Sequence, residues 1–332
     1  MRHELNVAEA TPNLWELCDL CTPWCLFTVA TLGIAGHMER GVGEIGALAE
    51  AAGCNAGVLQ RVLQHLVGKG VFAKLGEGRY GLNEAARGLL DPALELGINL
   101  NGIGGRMAYA WGTLPTFART GRSGYHEVFG LPFWEDLEAH PEVAASFDAL
   151  IGPMGHGSFN ADFAIGGGWE AVRTVVDVGG GTGAMLAAML RAHPHLRGTL
   201  VELPRTVERS AALFAEAGVA DRVTAVGQSF FDPLPAGADL YVLRGVLNNW
   251  PDAEASRLLR RCAEAARPGG RLVVLKSIDP DGSTPGLSVD QVLTGGKQRT
   301  VAEFRQLAQG VGLEVLSAGR QPAYFVAECR PL

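Results

Sequence analysis

Positive charge is in short supply: 28 lysines and arginines stand against 35 aspartates and glutamates, a formal net charge of -7. A nucleic-acid partner would need a basic face, and this balance argues against one. No apolar run reaches the roughly 20 residues that cross a bilayer. The most apolar stretch, residues 24–36, is interrupted by threonines and reads as a buried helix. The first residues lack a basic-then-apolar leader, with Glu4 and Glu9 where such a leader is hydrophobic, so a cytoplasmic chain without a membrane partner is expected. Cysteine is also scarce, six in 332 residues, and a chain this long needs no disulfide framework. Cys18, Cys21 and Cys25 form C-x2-C-x3-C, a spacing that puts all three on one face of a helix. There they would pack as small apolar residues; no second ligand pair lies nearby in sequence, and no metal is expected.

Apolar residues make up 47% of the chain, ample for two packed domains. Residues 12–38 have helical periodicity through Leu14, Leu17, Leu20 and Cys21. Two short helices follow, over 45–52 and through Val58, Leu59, Val62, Leu63 and Leu66, and then a hairpin over 71–74 and 78–82. That order makes a winged helix-turn-helix. Its recognition helix offers few cations (Arg61, His65, then Lys69), which points to a structural or dimerisation role rather than DNA. Residues 101–165 read as a helical connector in which Trp111, Phe117, Phe133, Trp134 and Phe147 supply core and could line an aromatic pocket. From residue 166 the pattern changes. Short β-branched runs at 174–178, 199–201, 223–226, 240–243 and 272–275 alternate with helices, the signature of an open, doubly wound sheet. Two last runs, 313–316 and 324–328, have no helix between them and should pair as an antiparallel edge. Domains are thus expected at 1–100, 101–165 and 166–332.

The first strand of that sheet runs into Asp177-Val178-Gly179-Gly180-Gly181-Thr182-Gly183. Gly179, Gly181 and Gly183 allow a tight turn and close approach of a ligand just before a helix N-terminus. The loop also satisfies the nicotinamide fingerprint, and Glu202 lies at a suitable distance to hold ribose hydroxyls in either case. Three features favour S-adenosylmethionine over NAD: the late start of the sheet, its hairpin ending, and Asp177 placed to orient the loop and the amino-acid end of the cofactor.

Further motifs accompany the loop: Phe129-Gly130-x-Pro132-Phe133-Trp134, Glu202-Leu203-Pro204, Ser229-Phe230-Phe231-Asp232-Pro233-Leu234-Pro235, Asn248-Asn249-Trp250, Pro268-Gly269-Gly270 and Gly295-Gly296-Lys297-Gln298-Arg299-Thr300. With them, nearly the whole chain resembles the S-adenosylmethionine-dependent small-molecule O-methyltransferases of bacterial natural-product pathways, related to the plant caffeate type. The resemblance implies an α/β fold: a C-terminal Rossmann-like seven-stranded methyltransferase sheet with an N-terminal all-helical, winged-helix dimerisation domain. It implies a homodimer acting on a small aromatic or polyketide-like molecule. Carried over by residue, Gly179, Gly181 and Gly183 form the cofactor loop and Glu202 binds the ribose. Ser229 and Phe230 meet the adenine, Arg244 lies near the methionine carboxylate, and Trp250 packs by the adenine.

The catalytic positions depart from the family. Its general base is the histidine of a His-Asp-Trp motif, replaced here by Asn248, and the two flanking glutamates align with Lys276 and Gln298. An amide takes no proton from a phenol at neutral pH. Methyl transfer tolerates the loss, because the sulfonium is already activated and alignment supplies much of the acceleration; Asn248 would then orient the acceptor. The alternative is a reused fold that binds the cofactor and catalyses a pericyclic or hydroxylation reaction, with Lys276 donating a hydrogen bond. His126 and His156 remain as replacement bases.

Overall fold

The computed structural model describes residues 13–151, 161, 163–282 and 286–332. They fall into two compact units, Met1–Ala108 and Tyr109–Leu332. In the first, the helical periodicity of residues 12–38 is broken twice. The helix Leu14–Leu17 stops at Cys18, and the carboxylate of Asp19 then accepts the N–H groups of Cys21 (2.9 Å) and Thr22 (3.2 Å) to start Cys21–Thr31. Gly33, in the left-handed region at φ 62°, separates that helix from Ile34–Glu39. Cys18, Cys21 and Cys25 therefore do not share one helix, contrary to the spacing argument. Cys25 is buried, whereas Cys18 and Cys21 are exposed.

The helix Ala56–Gly68 is capped by Asn55, which accepts the Val58 N–H at 3.0 Å, and it buries Leu59, Leu63 and Leu66 at helical spacing. They meet Val29, Ile34 and Leu48 in the core of this unit. Strands β1 (Ala73–Gly76) and β2 (Arg79–Gly81) form the antiparallel wing, the first two residues later than the expected 71–74 and the second within the expected 78–82.

The second unit holds the sheet. Its strands are β3 (Thr174–Val178), β4 (Arg197–Glu202), β5 (Val223–Gly227), β6 (Leu240–Arg244), β7 (Arg271–Leu275), β10 (Leu313–Arg320) and β11 (Phe325–Pro331). The two-residue strands β8 (Ile278–Asp279) and β9 (Arg299–Thr300) pair separately. The order is β10-β11-β7-β6-β3-β4-β5, parallel from β7 to β5 and antiparallel at the β10–β11 edge. Alternate residues serve two cores. Val176, Tyr241, Leu243, Leu272 and Val274 pack with Leu258, Cys262, Phe304 and Cys329 on one face. Val175, Leu200, Leu240, Val242 and Val273 pack with Leu186, Met189 and Phe214 on the other. Burial on both faces is why these strands are continuous apolar runs. Residues 109–151 supply the helices Leu114–Thr120, Tyr125–Phe129, Phe133–Ala139 and Pro141–Ile151. Among the described residues no helix is long and apolar enough to cross a membrane.

Candidate active site

Chain order reverses in the sheet between β3 and β6, and a crevice at the carboxyl ends of strands is where such sheets bind ligands. The residues singled out in the sequence gather at that rim. Asp177 lies one residue before the end of β3, Glu202 ends β4, Ser229 and Phe230 follow β5, Arg244 ends β6, and Lys276 follows β7.

The glycine loop is built with two kinds of tightness. A Cβ on Gly183 would overlap the Phe214 ring, and one on Gly180 would strike the Asp177 carboxylate and Leu200. A Cβ on Gly179 would come within 3.0 Å of Val246 and 3.3 Å of the Phe230 ring. By contrast, a Cβ on Gly181 would meet no protein atom within 4 Å, so its outer side is open. Glu202 holds the loop from below: its Oε2 accepts the Gly181 N–H at 3.1 Å and its Oε1 accepts the Leu203 N–H at 2.7 Å. Asp177 is 1% exposed, and its Oδ2 has no hydrogen-bond partner. Burial, reinforced by the charge of Glu202, pushes its carboxyl up to about 7 despite the opposing Arg244. Burial likewise raises Glu202.

Phe230, Phe231 and Trp250 form an edge-to-face cluster, with Trp250 centred 5.9 Å from Phe230 and 4.8 Å from Phe231. Phe231 is held further by the Arg257 guanidinium 4.7 Å above its ring. Ser229 Oγ accepts the Phe231 N–H at 3.2 Å, which shapes the turn after β5. The Arg244 guanidinium lies 5.9 Å from the centre of the Tyr324 ring.

Asn248 sits in a short turn, Leu247–Asn249, beyond β6. Its Oδ1 accepts from the buried Ser277 hydroxyl at 3.0 Å, and its Nδ2 donates to Asn249 Oδ1 at 3.2 Å; Asn249 in turn donates to the Gly245 carbonyl. The carboxamide is thus oriented, with one N–H and one lone pair still to offer. Asn248 and Gln298 line one cavity of about 410 Å³ together with Ile278, Asp279, Ser288 and Gln291. Lys276 stands two residues before Ile278 and outside that lining. It has a left-handed backbone (φ 57°), and burial, with the nearby Arg244 charge, lowers its ammonium pKa. His126 is exposed and does not line this cavity, while His156 lies outside the described residues.

One residue escapes the sequence reading. Arg299, fully buried, donates to the carbonyls of Leu247 (2.9 Å), Trp250 (2.8 Å) and Lys297 (3.1 Å) and to Asp252 Oδ1 (2.9 Å). It clasps both ends of the turn that carries Asn248. Gly296 presses on the same turn, because a Cβ there would overlap the Asn248 carbonyl. The only signal in the sequence is an arginine inside a glycine-rich motif, which by itself assigns no role.

Residues 111–314 match the model of the O-methyltransferase domain, and residues 15–92 match the O-methyltransferase dimerisation domain. The chain belongs to the O-methyltransferase family. Among its relatives is a 2,7-dihydroxy-5-methyl-1-naphthoate 7-O-methyltransferase of Streptomyces carzinostaticus, 40% identical over 92% of this chain and 93% of the relative. Another is the aclacinomycin 10-hydroxylase RdmB of Streptomyces purpurascens, 39% identical over 92% of this chain and 84% of the relative. In structure, an O-methyltransferase from neocarzinostatin biosynthesis, crystallised with S-adenosylmethionine and 2-hydroxy-5-methyl naphthoic acid, superposes with a TM-score of 0.83 at 37% identity, covering 97% of this chain and all of that one. The family's cofactor is S-adenosylmethionine, and this rim fits it on two counts. The buried, unpartnered Asp177 Oδ2 suits an ammonium group, and the open side of Gly181 admits a ligand against the backbone.

Proposed function

We propose that this enzyme methylates a small aromatic or polyketide-like natural-product intermediate, with Asn248 orienting the acceptor and no side chain acting as general base. The observation that supports it most is the fixed carboxamide of Asn248, held by Ser277 and Asn249 where the family has its histidine. Asp177, the glycine loop, Glu202, Ser229, Phe230, Arg244 and Trp250 would hold the cofactor. When bound, S-adenosylmethionine supplies an electrophilic methyl group on a positively charged sulfur. Asn248 then aligns the nucleophile through its remaining donor and acceptor, and Gln298 adds a second amide on the cavity wall. An acidic phenol would lose its proton to solvent before transfer. Lys276, whose pKa is lowered, adds positive charge at the rim that favours an anionic acceptor. The dimerisation match, the cation-poor winged helix and the exposed Leu14, Trp15, Leu17 and Leu20 support a homodimer.

The non-methylating alternative has the hydroxylase relative in its favour and the methyltransferase relatives against it, and it is not favoured. The deciding experiment incubates hydroxynaphthoate-type acceptors with methyl-labelled S-adenosylmethionine and weighs both products. A gain of one labelled methyl per molecule, matched by demethylated cofactor, is expected; product without that gain sinks the reading.

A further inference from the structure

On the helix Cys21–Thr31, the thiols of Cys21 and Cys25 stand one turn apart, 3.9 Å between sulfurs. A ring nitrogen of His65, on the helix Ala56–Gly68, lies within 4.8 Å of both. Sequence spacing alone joins the two cysteines with Cys18, which the break after Leu17 leaves outside this helix, and gives no hint of His65. We propose that Cys21, Cys25 and His65 form a zinc site that staples these two helices, with water as fourth ligand.

The sulfur separation carries the first part of the argument. Two thiolates on a tetrahedral zinc, each at about 2.3 Å, lie about 3.8 Å apart. The observed 3.9 Å is that edge already formed. A tetrahedral sulfur-to-nitrogen edge is about 3.5 Å, so His65, now within 4.8 Å of both sulfurs, would have to close by roughly 1 Å at most. Cys21 is exposed and Cys25 buried, which leaves a path for the ion from solvent and a closed floor beneath it.

The surroundings of His65 carry the second part. The Thr22 hydroxyl has one hydrogen, and it goes to Asp19 Oδ2 at 2.6 Å. The Asp19 carboxylate is ringed by donors, the N–H groups of Cys21 and Thr22 and the Lys69 ammonium 3.2 Å from Oδ2, so it only accepts. Thr22 Oγ1, 2.8 Å from His65 Nε2, must therefore accept from that nitrogen. In the neutral ring this puts the proton on Nε2 and the lone pair on Nδ1. A zinc-bound histidine hands its second N–H to an acceptor that fixes the ring, and here the Thr22 hydroxyl, backed by Asp19, would serve as that acceptor. On binding, both thiols release their protons to solvent, and two thiolates neutralise the divalent ion.

The test is titration of the reduced full-length protein with cobalt(II), then zinc. One cobalt per chain is expected, with a thiolate charge-transfer band and the intense visible bands of tetrahedral geometry, all abolished by zinc. Cys21→Ser, at an exposed position, should weaken binding more than about 100-fold, and Thr22→Val should weaken it by about 10- to 100-fold while keeping the spectrum. Cys18→Ser and Cys54→Ser should change neither. Zinc should raise the melting temperature of the native protein and not that of Cys21→Ser. The proposal is overturned if no tetrahedral spectrum forms below about millimolar metal. Binding unchanged in Cys21→Ser and His65→Ala, or a response to copper(I) alone, would also overturn it.

Discussion

Truncating Asn248 separates orientation from proton transfer. Asn248→Ala should lower turnover by roughly 10- to 100-fold, whereas loss of a true general base costs roughly 100- to 10,000-fold. At saturating cofactor the pH-rate profile should show no substrate-independent limb near the unperturbed histidine value of about 6.5; a limb that vanishes in His126→Ala or His156→Ala would assign the role to a histidine. Asp177 titrates in the same range but reports on binding. Its carboxyl is raised to about 7 in the folded chain from an ordinary value of 3.8. The neutral form's contribution to stability is therefore complete below about pH 4 and lost as pH rises to about 7. Across that interval the ligand-free native protein should lose melting temperature relative to Asp177→Asn. If the cofactor's ammonium group meets the ionised carboxylate, its affinity should rise with pH through about 7, and a flat calorimetric profile would exclude that pairing. At this scale the sequence is legible wherever a residue stands in a motif that implies chemistry, as Asn248, Glu202 and Gly181 do. Arg299 is illegible, because local spacing does not say that its guanidinium turns inward onto the carbonyls of a distant turn.

The loop after β3 invites a paired substitution, since its glycines serve different masters. Gly183→Ala would drive a methyl into Phe214 at a positive φ of 85°, and should lower stability by about 1–3 kcal/mol in a thermal melt. Gly181→Val would project into open space, leaving the protein folded apart from about 1–2 kcal/mol of left-handed strain, and should abolish cofactor binding by calorimetry. Unchanged affinity in that variant would remove the loop from the site. Parallel strands are plain in the sequence because both faces of β3, β6 and β7 are buried, so apolar residues dominate them without a polar alternation. The two-residue strands β8 and β9 have no periodicity to read. Nor does periodicity reveal the stops at Cys18 and Gly33, since a cap by Asp19 and a left-handed glycine interrupt the backbone while the apolar pattern continues across them.

For the whole molecule, light scattering at micromolar concentration should give twice the chain mass. Trp15→Ser with Leu17→Glu should yield a folded monomer if the exposed apolar start of the first unit is the contact. A monomeric native protein with full activity would contradict the homodimer. The sequence suggests three parts, 1–100, 101–165 and 166–332, whereas the compact units are two and divide at Ala108 and Tyr109, because the helices of 109–151 carry no feature that reveals which core they join. The six thiols also differ in a way that makes a clock. Cys262 and Cys329 are shut inside one face of the sheet, with burial raising both thiols, Cys329 to about 12. An alkylating reagent cannot reach them until that face opens, so after a fast surface burst, slow mass gains would time the breathing of the sheet itself. Ligand added at the strand ends would lengthen those intervals, turning a mass spectrometer into a gauge of how firmly an occupied rim grips the layers beneath it.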